Sequence, residues 1–304
     1  MLDFSSRQSL TPDIAVLHQD LAHWNRRRLA PAAPHAQWEE DLDEDHRMRL
    51  LEGRWVEELR QDVRAEAAEA PSDVEGFTAW FEALKESGPG QGDPLFDWLA
   101  EEATAEEMDW FLTQEAAGEA GFDDLVAMAQ VKLPTPAKLE LARNYWDELG
   151  RGQLAGMHGP MLARTVAGLQ LTPSIAGTCW QSLCLANTMT AFATTRRYVY
   201  QSIGALGAVE LTAPTRVTSV DAGLKRLGRT PEERKYFALH AQLDVEHSRA
   251  WNAEALAPLV SENPACARYI AEGALMRLIC GEQCFEAYRS YLWAHAHPVV
   301  YAAE

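Results

Sequence analysis

The sequence predicts an all-α protein, because helix-favouring residues dominate it and helix start signals recur along the chain. Ala, Leu and Glu are abundant, whereas the β-branched residues Val and Ile are few. Apolar residues follow helical spacing over long stretches, and no segment shows the convincing alternation of a half-buried strand. We expect roughly nine or ten helices, with a compact helical bundle from about residue 100 onward.

The first hundred residues are expected to lie outside the main bundle. Residues 1–30 form a partly polar lead-in, and helical periodicity then runs over about 38–70 and 73–86. A glycine-rich loop, SGPGQGD, ends this region. The sequence therefore predicts an N-terminal helical extension or subdomain over residues 1–99 and a main helical domain over residues 100–304.

Capping residues place several helix starts in the main domain. Thr104–Glu107 and Thr230–Glu233 have the spacing of capping boxes, in which a Thr and a Glu exchange hydrogen bonds with backbone N–H groups. In the pair Thr135–Pro136, a cap residue before a proline predicts a third start. A long apolar helix is expected over about 173–211, and a last pair of helices over about 265–293.

Composition and charge argue against several classes of protein. The 304 residues are 47% hydrophobic, which is too much for a disordered chain, and the net charge of −18 disfavours nucleic-acid binding. No apolar stretch reaches the roughly 18–20 residues of a membrane span, and the N-terminus has no secretory pattern. With an odd count of five Cys, we expect a cytoplasmic protein with reduced thiols and no membrane or nucleic-acid partner.

Ionisable residues interrupt the apolar faces of the predicted helices, most clearly in the helix that begins at Thr230. His240, Asp244 and His247 are spaced i, i+4 and i+7, so they form one narrow stripe along that helix. Burying two imidazoles and a carboxylate is costly unless something pairs with them, and a divalent metal ion would do so. The alternative is a solvated polar face with a His–Asp–His hydrogen-bond chain.

Further candidate ligands precede this stripe. Glu210 ends the long acid-free apolar helix and is either a ligand or the partner of a nearby Arg. Glu148 and His158 would lie about 15 Å apart along an unbroken helix, so we expect the glycines between them to break it. Glu115 and Glu119 share a helix face with apolar residues, and each is either a further ligand or an ordinary exposed Glu. The histidines of the first fifty residues lie in polar context and are expected at the surface.

Three carboxylates and three histidines thus occur on or beside helices of one bundle, and six ligands suggest two metal ions. Their order in the chain is Glu148, His158, Glu210, His240, Asp244 and His247. This order, with the segments NYWDELGRG and LHAQLDVEH, resembles the haem-oxygenase-like diiron oxidases and oxygenases, a family of iron-containing redox enzymes. The resemblance covers roughly residues 100–293.

The resemblance implies a fold like that of haem oxygenase with about seven core helices, two Fe ions as cofactor, and O2 as co-substrate. One iron would be held by Glu148, His158 and one histidine of the stripe. The other would be held by Glu210, Asp244 and the second histidine. Some members use an additional Glu from an earlier helix, for which Glu115 is the first candidate. Side chains that are close in sequence and could orient the ligands are Tyr145, Asn187, Tyr200 and Tyr236.

Members of this family share a scaffold and differ in reaction: some N-oxygenate amines, some desaturate or fragment amino acids, and some decarboxylate fatty acids. Arg196 and Arg197 lie among apolar residues and either clamp a substrate carboxylate or form salt bridges elsewhere. We predict an O2-dependent non-haem diiron oxygenase or oxidase that acts on a small amino-acid-like or carboxylate metabolite in specialised metabolism. We also expect a homodimer. An external electron donor is compatible with this chemistry. The alternatives are a non-catalytic iron-handling protein and a fatty-acid oxidative decarboxylase.

Overall fold

The fold is taken from a computed structural model, which describes residues 13–296, with side chains to residue 294. Within this range the structure contains thirteen α-helices and no strand, so the prediction of an all-α protein is confirmed. The N-terminal helices are α1 (Ile14–Leu29), α2 (Trp38–Ala67), α3 (Val74–Ser87) and α4 (Pro94–Glu101). The remaining helices are α5 (Ala105–Ala117), α6 (Phe122–Ala129), α7 (Thr135–Glu148), α8 (His158–Gly168), α9 (Trp180–Thr194), α10 (Val199–Arg226), α11 (Pro231–Ala250), α12 (Ala257–Glu262) and α13 (Ala267–Ala296).

The lead-in predicted over residues 1–30 is wrong for its described part, because residues 14–29 form α1. Asp13 caps this helix by accepting a hydrogen bond from the Ala15 N–H at 3.0 Å. The prediction that His18 lies at the surface is also wrong. Its side chain is fully buried, with ring centroids 4.7 Å from Trp55 and 6.0 Å from Trp180. The prediction from local sequence failed because α1 buries one face against α9. The polarity of neighbouring residues in the sequence does not predict this contact.

Both predicted capping boxes are present. The hydroxyls of Thr104 and Thr230 accept from the N–H groups of Glu107 and Glu233, and each Glu carboxylate accepts from its Thr N–H at 2.7 Å. The third predicted cap differs, because Thr135 is itself the first residue of α7 and its side chain makes no capping bond. Helices α5 and α11 thus begin where the local capping residues predict, independently of the packing around them.

The long helix expected over 173–211 is wrong, because α9 and α10 are separate. Thr195 is extended, and a 3-10 turn over Arg196–Tyr198 follows it. The hydroxyls of Thr190 and Thr194 bond back to carbonyls four residues earlier, a local competition that weakens the end of α9. As a consequence, Glu210 lies in the middle of α10 and not at a helix end.

The core is built around the crossing of α10 and α13. A Cβ added at Gly204 would collide with the carbonyl of Ile270, and one added at Gly273 would collide with that of Gln201. These two glycines therefore allow the helix backbones to touch. Residues of α2 and α3 share an apolar cluster with this crossing, and a second cluster joins α4 and α5 to α10, α11 and α13. Among residues 13–296, no helix combines the length and apolarity needed to cross a membrane.

Candidate metal centre

Four helices bring the six predicted ligands to one place inside the bundle. Glu148 is the last residue of α7 and His158 the first of α8, while Glu210 comes from α10. The remaining three, His240, Asp244 and His247, lie on α11, and all six side chains are buried, with 2–8% of their surface exposed. Buried carboxylates and imidazoles at this density require a partner, because burial of a charge is costly in an apolar interior.

The predicted break between Glu148 and His158 is present and explains how they meet. Gly150 and Gly152 have φ values of 59° and 81°, and two 3-10 turns replace the helix between α7 and α8. An antiparallel bridge between Leu149 and Met157 closes this loop at its base. The His158 Nδ1 atom consequently lies 2.6 Å from the Glu148 Oε2 atom.

The ligand atoms fall into two groups, within each of which they all lie within 4.8 Å of one another. One group is Glu148, His158 and His240, and the other is Glu148, Glu210 and His247. Glu148 belongs to both groups. Asp244 belongs to neither, but it lines the same cavity, where its charge interacts with those of Glu210 and Glu148.

Two ring nitrogens in the centre have no hydrogen-bond partner although carboxylate oxygens are near. His158 Nδ1 lies 2.6 Å from Glu148, and His247 Nδ1 lies 3.4 Å from Glu210, but neither oxygen lies where an N–H would donate to it. Unpaired buried nitrogens are rare in proteins. Nitrogen and oxygen atoms that are close without bonding to each other are expected where both bind one cation.

Three contacts hold the ligands in orientation. His240 Nδ1 lies 2.6 Å from the carbonyl oxygen of Tyr236, so that nitrogen donates and Nε2 carries the free lone pair. Asn144 Nδ2 donates to Glu210 Oε1 at 2.6 Å. The carboxylate of Asp147 lies 3.4 Å from His247 Nε2 and accepts from it.

Sequence reasoning missed Asn144 and Asp147 as orienting residues. Their position could have indicated this role, because both lie on the helix that ends at the ligand Glu148. Asn144 lies one turn before Glu148 on that helix. Of the candidates chosen by proximity, Tyr236 takes part through its backbone carbonyl, not its phenol. Asn187 instead bonds to the α1 residues Asn25 and His18, away from the centre.

The pKa shifts of the ligands follow from their burial and from the carboxylates gathered in the centre. Burial, reinforced by the charge of Glu210, raises the pKa of Glu148 to about 9. Burial lowers the pKa values of His158 and His240 to about 4, so both rings are neutral and free to bind a metal. Although burial opposes its protonation, the carboxylates of Glu210 and Glu148 raise the pKa of His247 to about 9. Bound divalent cations would replace these protons.

A cavity of about 110 Å³ adjoins the ligands, and its other walls are mostly apolar, with side chains such as Phe122, Leu162 and Val209. Glu119 also lines it. This residue follows the end of α5 instead of sharing a face with Glu115, and its Oε1 accepts from the first N–H groups of α6, those of Gly121 and Phe122.

Glu115, the first sequence candidate for a further ligand, lies elsewhere. Its Oε1 accepts from the Tyr288 hydroxyl at 2.8 Å, and it lines a neighbouring cavity and not the one beside the six ligands. The different positions of Glu115 and Glu119 follow from the end of α5 at Gly118, which sequence periodicity did not locate.

Arg196 and Arg197 also lie apart from the centre, and neither lines the cavities described here. Arg196 donates to the carbonyl of Ala129 at 3.2 Å, at the end of α6. Arg197 is largely exposed and forms a salt bridge with Glu57 at 2.8 Å. The salt-bridge alternative therefore holds for Arg197, because the turn after α9 directs both side chains outward.

Carboxylates and histidines that converge between the helices of one bundle are the residue types with which helical proteins hold metal ions. A family model described as iron-containing redox enzyme matches residues 109–282, which is more than half of the chain. The chain therefore belongs to the family of iron-containing redox enzymes. A comparison with curated proteins gives no match.

Solved structures show which fold this is. One is a domain of unknown function with a haem oxygenase-like fold from Shewanella denitrificans OS217, with a TM-score of 0.51, 13% identity, and coverage of 76% of this chain and 96% of that one. Another is a CADD-like protein of unknown function from Nostoc punctiforme PCC 73102, with a TM-score of 0.53, 14% identity, and coverage of 80% and 99%. The predicted haem-oxygenase-like fold is confirmed.

Proposed function

We propose that the protein is an O2-dependent non-haem diiron oxygenase or oxidase that acts on a small amino-acid-like or carboxylate metabolite. The observation that carries this proposal is the presence of two groups of buried ligands that share Glu148. A single metal ion needs three or four protein ligands, whereas six converge here. Three carboxylates and three imidazoles also suit iron in donor type.

The two groups suggest how the ligands are divided. Glu148, His158 and His240 would hold one iron, and Glu210 and His247 would hold the other, with Asp244 beside them. Because Glu148 belongs to both groups, its carboxylate would be available to either iron. Glu119 has one carboxylate oxygen engaged by two backbone N–H groups, which leaves its other oxygen available in the same cavity.

When bound, two Fe(II) ions would supply two electrons together for the reduction of O2. The chain itself provides orientation and a restricted volume. Asn144 and the Tyr236 carbonyl fix Glu210 and His240, and Asp147 holds the proton on the outer nitrogen of His247. Apolar walls limit the water that can reach the centre, which strengthens every electrostatic interaction inside it.

The reaction type follows from the substrate class and is part of the proposal. N-oxygenation of an amine, desaturation and oxidative C–C cleavage are each compatible with a small amino-acid-like substrate. An external electron donor would return the centre to its reduced state after each cycle. We further propose a homodimer that works in the cytoplasm in specialised metabolism.

A second candidate function is oxidative decarboxylation of a fatty acid. It is favoured by one observation: a second cavity of about 160 Å³ adjoins the metal cavity, and its walls are mostly apolar. An alkyl chain could occupy that cavity with its carboxylate at either end. Products from an amino-acid panel and from a fatty-acid panel, analysed by mass spectrometry, distinguish the two functions.

The first experiment loads the purified protein anaerobically with Fe(II), measures iron per chain, and then follows optical absorption and O2 consumption after mixing with O2. His240→Ala removes a ligand, and His46→Ala is a matched control because His46 is exposed. We expect two irons per chain and an optical transient in the wild type and in His46→Ala, and neither in His240→Ala. Equal iron content in all three proteins would refute the ligand assignment.

Iron-handling without catalysis is distinguished in the same experiment. An O2-dependent enzyme consumes O2 at a rate that responds to an organic substrate, so the rate should change with members of a metabolite panel. Stable iron binding with slow oxidation that no organic compound affects would favour the iron-handling alternative.

A further inference from the structure

A second cavity of about 160 Å³ lies against the metal centre. The two cavities share wall residues from α8, α10 and α11, among them Leu162, Val209 and Tyr236. A molecule in the second cavity is therefore a neighbour of the metal ligands.

Two arginines with unpaired donors line this cavity. Arg216 comes from α10 and Arg277 from α13. The Nη2 atom of Arg216 and the Nη1 atom of Arg277 are buried and have no hydrogen-bond partner. An unpaired buried guanidinium donor is costly, because the interaction with water is lost and nothing replaces it.

Two carboxylates line the same cavity as these arginines, but neither pairs with their free donors. Glu115 is the nearer carboxylate and already accepts a hydrogen bond from Tyr288. Glu119 lies at the metal side of the cavity, where its Oε1 is engaged by backbone N–H groups. The Nη2 atom of Arg216 and the Nη1 atom of Arg277 are therefore free to donate to an anionic ligand. Burial and the charge of Arg277 lower the pKa of Arg216 to about 9, and a bound anion would oppose this shift.

The packing around both guanidinium groups positions them for a ligand. The Arg216 guanidinium carbon lies 4.9 Å from the centre of the Phe285 ring, which supports the flat group from one side. A Cβ added at Gly281, one turn beyond Arg277 on α13, would lie 2.6 Å from Arg277 Nη1. The glycine thus leaves room for the Arg277 side chain to lie along its helix.

The rest of the wall is mostly apolar. Its aromatic and aliphatic members include Phe96, Phe111, Leu112, Leu171, Val220 and Phe237. A ligand that fits both parts of the cavity has one anionic end and an apolar body. Guanidinium groups bind carboxylates through two parallel hydrogen bonds, which gives the anionic end a defined orientation.

The geometry points to Arg216 and Arg277 as the binding site for the carboxylate of the substrate, with its apolar body in the second cavity beside the metal centre. This assignment replaces Arg196 and Arg197, and its catalytic meaning rests on the proposed function. The binding itself does not, since it requires only the cavity and the two arginines. The ligand class is a monocarboxylate with an aryl or alkyl body.

Binding of matched probe pairs tests the assignment. The full-length protein, free of metal and also loaded with Fe(II) under anaerobic conditions, is titrated by calorimetry with 4-phenylbutyrate, octanoate and their primary amides. The amides match the acids in size and lack the charge. We expect at least one acid to bind at least tenfold more tightly than its amide in both metal states. Equal binding of acid and amide, or no binding of either acid, would overturn the assignment.

Variants test whether Arg216 and Arg277 cause the tighter binding of the acid than of its amide. Arg216→Gln and Arg277→Gln should each lower the acid-over-amide ratio at least fivefold, whereas Arg277→Lys should retain part of it. Arg197→Gln is the matched control, because Arg197 is exposed and paired with Glu57. An acid preference that survives both Gln variants, or that requires Fe(II), would show that another group binds the carboxylate and would refute the proposal.

Failure of this assignment and failure of the proposed function are separable. If iron content and O2 reactivity are absent but the acid preference depends on Arg216 and Arg277, the binding site stands without the diiron reaction. If the protein binds two irons and consumes O2 but shows no acid preference, the function stands and the carboxylate site is wrong. Where a Gln variant does not fold, the wild-type comparison of acid and amide still decides.

Discussion

Replacing Gly150 by alanine should displace His158 from Glu148 and weaken iron binding. Gly150 has a φ of 59°, and an added Cβ would lie 2.6 Å from Met157 N and 2.7 Å from Gly156 Cα. The atoms in the way are backbone and cannot rotate aside. Ordinary contacts begin near 3.4 Å, so the loop must open by at least about 0.8 Å, the difference between 3.4 and 2.6 Å, and by more at the carbonyl carbon of Gly156, which would lie nearer still.

This displacement is large on the scale of metal coordination. His158 follows Met157 directly, and its Nδ1 atom now lies 2.6 Å from Glu148 Oε2. Metal–ligand distances are held to within about 0.2 Å, so a shift of about 0.8 Å removes His158 as a competent ligand. The left-handed backbone adds roughly 1 to 2 kcal/mol of strain for a non-glycine residue. We expect Fe(II) affinity to fall at least tenfold, with a lower free energy of unfolding.

Gly159→Ala provides the matched control. Gly159 lies in the first turn of α8, next to His158, and nothing lies within 4 Å of an added Cβ there. Anaerobic Fe(II) titration and urea unfolding of Gly150→Ala, Gly159→Ala and the wild type measure both effects. If Gly150→Ala binds iron as the wild type does, the closed loop does not position His158 and the reasoning is refuted.

Three further predictions concern stability and the orientation of the ligands. Burial lowers the pKa of His18 to about 3, so the unfolded chain binds the extra proton below pH 6.5 and stability falls as pH decreases. His18→Phe should remove about 1.5 kcal/mol of the loss between pH 6.5 and pH 5, measured by urea unfolding, and an unchanged slope would contradict this. Asn144→Ala removes the hydrogen bond to Glu210 and should weaken Fe(II) binding about 10- to 100-fold in anaerobic titrations, whereas wild-type affinity would show that the bond is dispensable. Fe(II) at about 100 times its Kd should stabilise the wild type by about 2.7 kcal/mol for each iron bound in anaerobic urea unfolding, and a chelator should reverse this. His158→Ala should show a smaller gain, and an equal gain would indicate binding elsewhere.

Helix starts and the ligand stripe were predictable because they are local. A capping box depends on four consecutive residues, and Thr104 and Thr230 form theirs as expected. The stripe of His240, Asp244 and His247 depends only on the pitch of one helix. The break after Glu148 was also predictable, because glycine is the residue that tolerates the left-handed backbone found there.

Local reasoning failed where two distant segments decide the outcome. His18 lies in polar sequence, but the packing of α1 against α9 buries it between two tryptophans. Arg196 and Arg197 lie in apolar sequence, but the turn after α9 directs them toward Ala129 and Glu57. In each case the neighbours come from elsewhere in the chain, and no pattern within one helix reports them.

The sequence by itself determined the helical class, the helix starts at Thr104 and Thr230, and the chemistry of the six candidate ligands, since these follow from residue type and from spacing within single elements. Only the tertiary structure decided that Glu148 belongs to two groups of ligands, and that Arg216 and Arg277 face a cavity beside them. The crossing of α10 and α13 brings Arg216 and Arg277 to the same cavity, through backbone contact at Gly204 and Gly273. The physical reason is that burial and proximity depend on how helices pack, which is a property of all the interfaces at once.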